Sequence, residues 1–188
     1  MASGSIVQRA IGTAFFNKDV IEEIEHNAEL NTEAVTVVAV ASAAEGIGLL
    51  LADAIGPEGF QPVRALGRLA FAIIAGIAVY YLMAFFIHYF GKGFFGAQGG
   101  VDQVRRTVGF AYGPKALGLL AFVPAIGGWL PTVGWIWFLL AAFVASRQAL
   151  DISNGKTALT VGIAVFAGFL IVGFFAFMLG IAYLPFIT

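Results

Sequence analysis

The sequence predicts an all-α membrane protein: a bundle of five transmembrane helices preceded by short N-terminal amphipathic helices. Of its 188 residues, 60% are hydrophobic and only 11% are charged, whereas soluble domains carry roughly 25% charged residues. Mean hydropathy is +0.93, and the apolar residues form repeated runs close to the ~20 residues that a helix needs to cross a bilayer. We therefore expect a multi-pass integral membrane protein without strands.

Composition also argues against several kinds of function. The chain has no cysteine, which removes disulfides, thiolate metal sites and cysteine nucleophiles. A net charge of −1 gives no support for nucleic-acid binding. His26 and His88 have no metal-ligand partner at helical spacing, and nucleophile, base and oxyanion groups do not occur together. We expect no enzyme, no metal and no cofactor.

The N-terminal segment, residues 1–32, is predicted to be cytoplasmic and amphipathic. Apolar residues fall on one helical face between Ser5 and Phe16, and Asp19 can cap a second, acidic helix. Such helices either lie in the membrane interface or pack on the inner loops of the protein itself. No cleavable signal is expected, because residues 1–8 lack a basic start followed by an apolar core.

Residues 33–188 are predicted to form the transmembrane domain. Its spans are expected at about 34–55, 64–90, 107–123, 132–149 and 158–185. Between them lie a Gly-rich loop at residues 91–100, an uncharged Pro/Gly/Trp elbow at 124–131 and a polar turn at 151–156. The loop satisfies the nucleotide-binding spacing G-x-G-x-x-G, but it follows a membrane span instead of a strand, so we expect no nucleotide site.

Charges near the spans predict the orientation, because cytoplasmic loops carry an excess of Lys and Arg. With five spans, one side holds two positive residues, Arg64 and Arg68. The other side holds seven: Arg9, Lys18, Lys92, Arg105, Arg106, Arg147 and Lys156. The N-terminus is therefore expected in the cytoplasm and the C-terminus outside. Trp129, Trp135 and Trp137 are then expected near the outer interface, which favours indoles.

A family resemblance is carried by residues 106–114, which read RTVGFAYGP. This stretch is similar to the signature of the Yip (Ypt-interacting protein) domain family in its short prokaryotic form. The similarity continues through most of the chain, at residues 16–27, 34–38 and 45–48, at Pro124 with Gly127, at Trp137 and at residues 145–149.

The resemblance implies five spans with a cytoplasmic N-terminus, in a prokaryotic cell membrane. Eukaryotic relatives are linked to Rab-type GTPases and to vesicle traffic between endoplasmic reticulum and Golgi. This chain lacks the long cytoplasmic N-terminal region of those relatives, which argues against small-GTPase binding. Prokaryotic members have no established activity that the resemblance could transfer.

Glu45 and Lys115 are the ionisable residues predicted to lie deepest in the membrane. They follow Glu33 by 12 residues and Arg105 by 10 residues, which gives depths of roughly 18 and 15 Å. A charge there costs roughly 2.5 to 3.5 kcal/mol on insertion scales, so each should face the bundle. Three alternatives remain: an ion pair between the first and third spans, a neutral Glu45 bonded to backbone or hydroxyl, and a proton or ion relay with Lys115 as counter-charge.

The third span carries a predicted kink and packing motif, formed by Gly109, Tyr112, Gly113 and Pro114. The two glycines would let another backbone approach closely, and Tyr112 could supply a hydroxyl. Pro114 leaves a carbonyl of the preceding turn without its helical donor, and neighbours must satisfy that carbonyl in a membrane. The motif predicts either a kink that packs this helix or a broken-helix binding site of the transporter type.

Four basic residues are expected on the cytoplasmic face: Arg105, Arg106, Arg147 and Lys156. They set the orientation, with binding of anionic headgroups or of an acidic partner helix as the functional alternative. The function that fits best is a non-enzymatic membrane scaffold that contacts the bilayer and associates with itself or with other membrane proteins, including as an accessory subunit. The alternative is a small transporter or channel that uses Glu45 and Lys115.

Overall fold

The computed structural model describes residues 4–56 and 60–178, and every regular element in these ranges is helical. The α-helices are α1 (Ile6–Ala14), α2 (Lys18–His26), α3 (Asn31–Ile55), α4 (Pro62–Phe95), α5 (Val101–Ala111), α6 (Leu130–Leu150) and α7 (Asn154–Met178). Two further segments are 3-10 helices, Ala28–Leu30 and Gly113–Phe122. The all-α prediction is confirmed for this part of the chain.

Four of the described helices are long and apolar enough to cross a bilayer. The candidate spans are Ala28–Ile55 (the first 3-10 turn together with α3), Ala65–Phe95 (within α4), Leu130–Leu150 (α6) and Asn154–Phe175 (within α7). Their mean hydropathies lie between 1.4 and 2.4 over 18-residue windows. These helices support the prediction of a membrane protein built as a helical bundle. The predicted end of the last span, at residue 185, lies outside the described residues.

The Gly-rich loop predicted at residues 91–100 is wrong over its first half, because α4 continues to Phe95. Gly96, with a φ of 67°, ends this helix in the left-handed region that favours glycine. Only residues 96–100 connect α4 to α5. The G-x-G-x-x-G pattern therefore lies at the end of a helix, away from the N-terminal N–H groups that bind phosphate.

The predicted third span, 107–123, is not a single α-helix. α5 ends at Ala111, and the chain continues in the tighter 3-10 winding of Gly113–Phe122. Pro114 explains the change, since it lacks an N–H and its ring clashes with the preceding helical turn. The N–H of Lys115 instead donates to the carbonyl of Tyr112 at 3.0 Å. We name residues 101–122 the central segment, because α1, α2, α3, α4 and α6 all contact it.

α1 and α2 form a helical hairpin whose ends are capped by side chains. Ser5 and Gln8 make a capping box at the start of α1. Asn17 caps α2, accepting from the N–H groups of Asp19 and Val20. The prediction that Asp19 is the cap is therefore wrong; Asp19 lies in the first turn, where its charge favours the helix dipole.

Charged groups attach this hairpin to the rest of the protein. Arg9 binds Glu23 of α2 at 2.8 Å and Glu33 of α3 at 3.0 Å. The hydrogen bond with Glu23 raises the pKa of the Arg9 guanidinium above its ordinary value. Arg106, only 6% exposed, donates to the carbonyls of Ile24 and Glu25. The C-terminal carbonyls of α2 are thus satisfied by a side chain of the central segment.

Candidate functional site

Glu45 and Lys115 form an ion pair between α3 and the central segment. The Nζ atom of Lys115 lies 3.0 Å from Oε2 of Glu45, and the two side chains are 4% and 17% exposed, respectively. The structure thus brings together the two ionisable residues that sequence depth singled out. Because a buried charge costs several kcal/mol unless it is paired, this contact ties the two segments to each other.

Aromatic rings compensate the Lys115 charge on its other sides. Its Nζ atom lies 4.4 Å from the ring centroid of Trp135 and 5.1 Å from that of Tyr112, within the ~6 Å over which a cation is attracted to an aromatic face. Tyr112 is fully buried, and its hydroxyl donates to the carbonyl of Gly76 at 3.3 Å. The rings of Tyr112 and Phe138 pack with centroids 4.4 Å apart. The ammonium group therefore lies between one carboxylate and two rings.

Glycines allow the backbones around this ion pair to touch. A Cβ atom on Gly48 would lie 1.9 Å from the carbonyl oxygen of Gly118, and one on Gly118 would lie 2.8 Å from Cγ of Glu45. On α6, a Cβ atom on Gly134 would lie 2.8 Å from the carbonyl oxygen of Pro114. α3 and α6 thus each approach the 3-10 helix to backbone contact.

The register of these residues follows from the two kinds of helix. In a 3-10 helix, residues three apart lie on the same side, so Lys115 and Gly118 face α3 together. On α3, Glu45 and Gly48 are also three apart and share a face. The charged residue and the glycine of one helix therefore meet the charged residue and the glycine of the other.

The residues of the predicted packing motif lie in different surroundings. A Cβ atom on Gly109 would lie 2.8 Å from that of Ala34, so α5 approaches α3 closely at this point. A Cβ atom on Gly113 would lie 3.5 Å from the carbonyl oxygen of Ala10 in α1. Tyr112 lies against Lys115, and Pro114 is in the first turn of the 3-10 helix.

The basic residues predicted on the cytoplasmic face also differ from one another. Arg106 is buried against α2, whereas Arg147 and Lys156 are exposed. Arg105 pairs with Asp102 at 3.0 Å and lies 4.9 Å from the ring centroid of Tyr81. Within the described ranges, no cluster of three or more His, Asp and Glu side chains could hold a metal ion.

Sequence reasoning missed the roles of two tryptophans. Sequence depth predicts Trp135 only as an outer-interface residue, and the structure adds that its ring covers Lys115. Trp137 donates its indole N–H to the carbonyl of Ala14 at 2.7 Å, and its ring meets that of Phe15. Trp137 therefore packs beside the end of α1. The adjacent Gly134 was the available signal that this part of α6 is packed.

A protein-family model matches most of the chain. The model of the Yip1 domain matches residues 12–177, which is most of the chain and includes both residues of the ion pair. No curated protein and no solved structure matches the chain. The resemblance found at residues 106–114 is thereby confirmed at the level of the family.

The close contact at Gly48 predicts a selective cost of adding a methyl group. Gly48→Ala should lower the free energy of unfolding by roughly 1 to 3 kcal/mol, because the new Cβ must displace the backbone of the 3-10 helix. Gly67→Ala is the matched control, since nothing lies within 4 Å of a Cβ at that position of α4. Thermal unfolding in lipid–detergent micelles measures both variants. Equal stability of the two would contradict the described approach of α3 to the 3-10 helix.

Proposed function

This chain belongs to the Yip1 domain family, and we propose that it acts as a non-enzymatic membrane scaffold. In this role it organises other membrane proteins or copies of itself, including as an accessory subunit, and carries no solute. The observation that supports this most is the enclosure of the Glu45 and Lys115 pair. Lys115 is 4% exposed and lies among a carboxylate, two aromatic rings and touching backbones, an arrangement suited to holding helices together.

The proposal includes five crossings of the membrane. Residues 107–122 combine the end of α5 with the 3-10 helix, and at ~1.5 and ~2.0 Å per residue they extend about 27 Å. That length is close to the ~30 Å of a bilayer core. The central segment would then be the third crossing, between α4 and α6. The count of Lys and Arg near the spans supports a cytoplasmic N-terminus and an outer C-terminus. The resemblance to the short prokaryotic form of the family supports a prokaryotic cell membrane.

Apolar surface on the outer helices supports the interaction role. Large side chains of α4 and α7 are exposed, among them Val63 at 88%, Ile74 at 68% and Phe166 at 66%. In a membrane, such faces contact either lipid tails or another transmembrane helix. They offer the protein a surface for self-association or for a membrane partner, while the interior remains filled by the central segment.

A transporter or channel is the second candidate. The observation that favours it is Ser42, which is fully buried one helical turn before Glu45 and whose Oγ atom makes no hydrogen bond among the described groups. A relay would need Glu45 to exchange protons or ions and to separate from Lys115 during each cycle. The close packing of Gly118 on Glu45 opposes such a separation.

Proton flux distinguishes the two functions. The protein is reconstituted in vesicles that enclose a pH-sensitive dye. Under an applied membrane potential, the interior of these vesicles should acidify no faster than that of protein-free vesicles. Glu45→Gln should leave this rate unchanged and lower only the stability, whereas Glu29→Gln, at an exposed position, should change neither. A flux above the protein-free rate that disappears in Glu45→Gln would favour the transporter.

Partner retention tests the scaffold directly. The full chain, tagged and purified from its native membrane in a mild detergent, should retain a second copy or another integral membrane protein at a fixed stoichiometry. Mass spectrometry identifies the retained proteins, and light scattering gives the mass of the complex. Recovery of a monomer that carries only lipid would argue against the scaffold.

A further inference from the structure

An apolar groove of about 630 Å³ lies between α1, α3 and the 3-10 helix. We name it the α1 groove. Residues that line it include Ile6, Ala10, Ile11, Val40, Leu120 and Trp137. The apolar face predicted for α1 from its sequence is thus turned toward this groove. Its volume lies within the roughly 300 to 1,000 Å³ that is usual for small-molecule sites.

The groove offers a ligand almost no hydrogen-bonding group. Arg9 of α1 is turned toward Glu23 and Glu33, with which it pairs. The indole N–H of Trp137 is already bound to the carbonyl of Ala14. The hydroxyl of Thr36 donates to the carbonyl of its own helix at Thr32. Such a lining stabilises neither water nor a polar ligand, and it suits a hydrocarbon chain.

The position of the groove determines which hydrocarbon can reach it. Its α3 wall belongs to the candidate span Ala28–Ile55. Side chains of its walls are open to the outside, with Ile11 53%, Val40 62% and Leu120 40% exposed. The groove is therefore continuous with the membrane-facing surface of that span, beneath an amphipathic helix of the kind that lies at the lipid boundary. Lipid tails are the apolar molecules present there.

We propose that the α1 groove binds one acyl chain of a membrane phospholipid and holds it between α1 and α3. The proposal requires only that α3 is inserted in the membrane, so it does not depend on whether the protein is a scaffold or a transporter. Because no charged side chain lines the groove, binding should depend on the tail and not on the charge of the headgroup. The bound acyl chain would fill the space between α1 and α3 and cover apolar side chains of both helices that the protein leaves exposed.

The test fills the groove with protein side chains. The double variant Val40→Phe and Leu120→Phe places bulk on two of its walls. Leu140→Phe is the matched control, since Leu140 is 54% exposed on α6 and does not line the groove. Ile11→Phe provides a second, single filling variant if the double variant loses helical content. All proteins are full-length and reconstituted in vesicles of phosphatidylcholine, with or without phosphatidylglycerol.

Two readouts report on the groove. Native mass spectrometry of the wild type should detect one retained phospholipid from either vesicle composition, and the filled variants should lose it while Leu140→Phe keeps it. Phosphatidylcholine with brominated acyl chains should quench the tryptophan fluorescence of the wild type. Filling the groove should remove the part of this quenching that comes from Trp137, one of three tryptophans in the chain.

Several results would overturn the proposal. If the filled variants and Leu140→Phe retain lipid and are quenched equally, the retained lipid only surrounds the protein. Retention of phosphatidylglycerol alone would indicate a headgroup site elsewhere. A wild type that retains no lipid, but a second copy of the chain that is lost when the groove is filled, would make the groove a protein interface.

Discussion

The positive charge of Lys115 is the constraint on which the rest of this structure depends. An unpaired ammonium group among apolar helices would cost several kcal/mol, so the chain must supply a partner at the same level. Glu45 supplies it at 3.0 Å, and Trp135 and Tyr112 add their ring faces. These residues come from α3, α6 and the central segment, so satisfying one charge arranges three parts of the chain around it.

Small residues and a change of helix type make this arrangement possible. Pro114 ends the α-helical winding, and the following 3-10 turns align Lys115 with Gly118. Gly48 and Gly134 then let α3 and α6 approach to backbone distance. Such packing would suit the proposed scaffold role, because a fixed interior leaves the apolar outer faces of α4 and α7 available to lipids and partners. The α1 groove differs from this close-packed interior, since its walls leave space for the acyl chain that we propose a lipid supplies.

Much of this could be predicted from the sequence, for physical reasons. Long apolar runs must be helical in a bilayer, which located α3, α4, α6 and α7, and charges inside such runs are costly enough to single out Glu45 and Lys115. The 3-10 winding after Pro114 could not be predicted, because proline forbids the regular helix without choosing its replacement. Trp135 on Lys115 and Arg106 on α2 depend on how separate helices align. Local sequence patterns do not specify how two separate helices align with each other.

A double-mutant cycle on the ion pair tests the central claim most directly. The full chain would carry Glu45→Gln, Lys115→Met or both, and unfolding free energies would be measured in one lipid–detergent mixture. If the pair holds α3 to the central segment, each single variant loses about 3 to 5 kcal/mol, because it leaves the other group buried without its partner. The double variant is then no less stable than either single variant. Losses that simply add would mean that the two residues act independently, and would contradict this account.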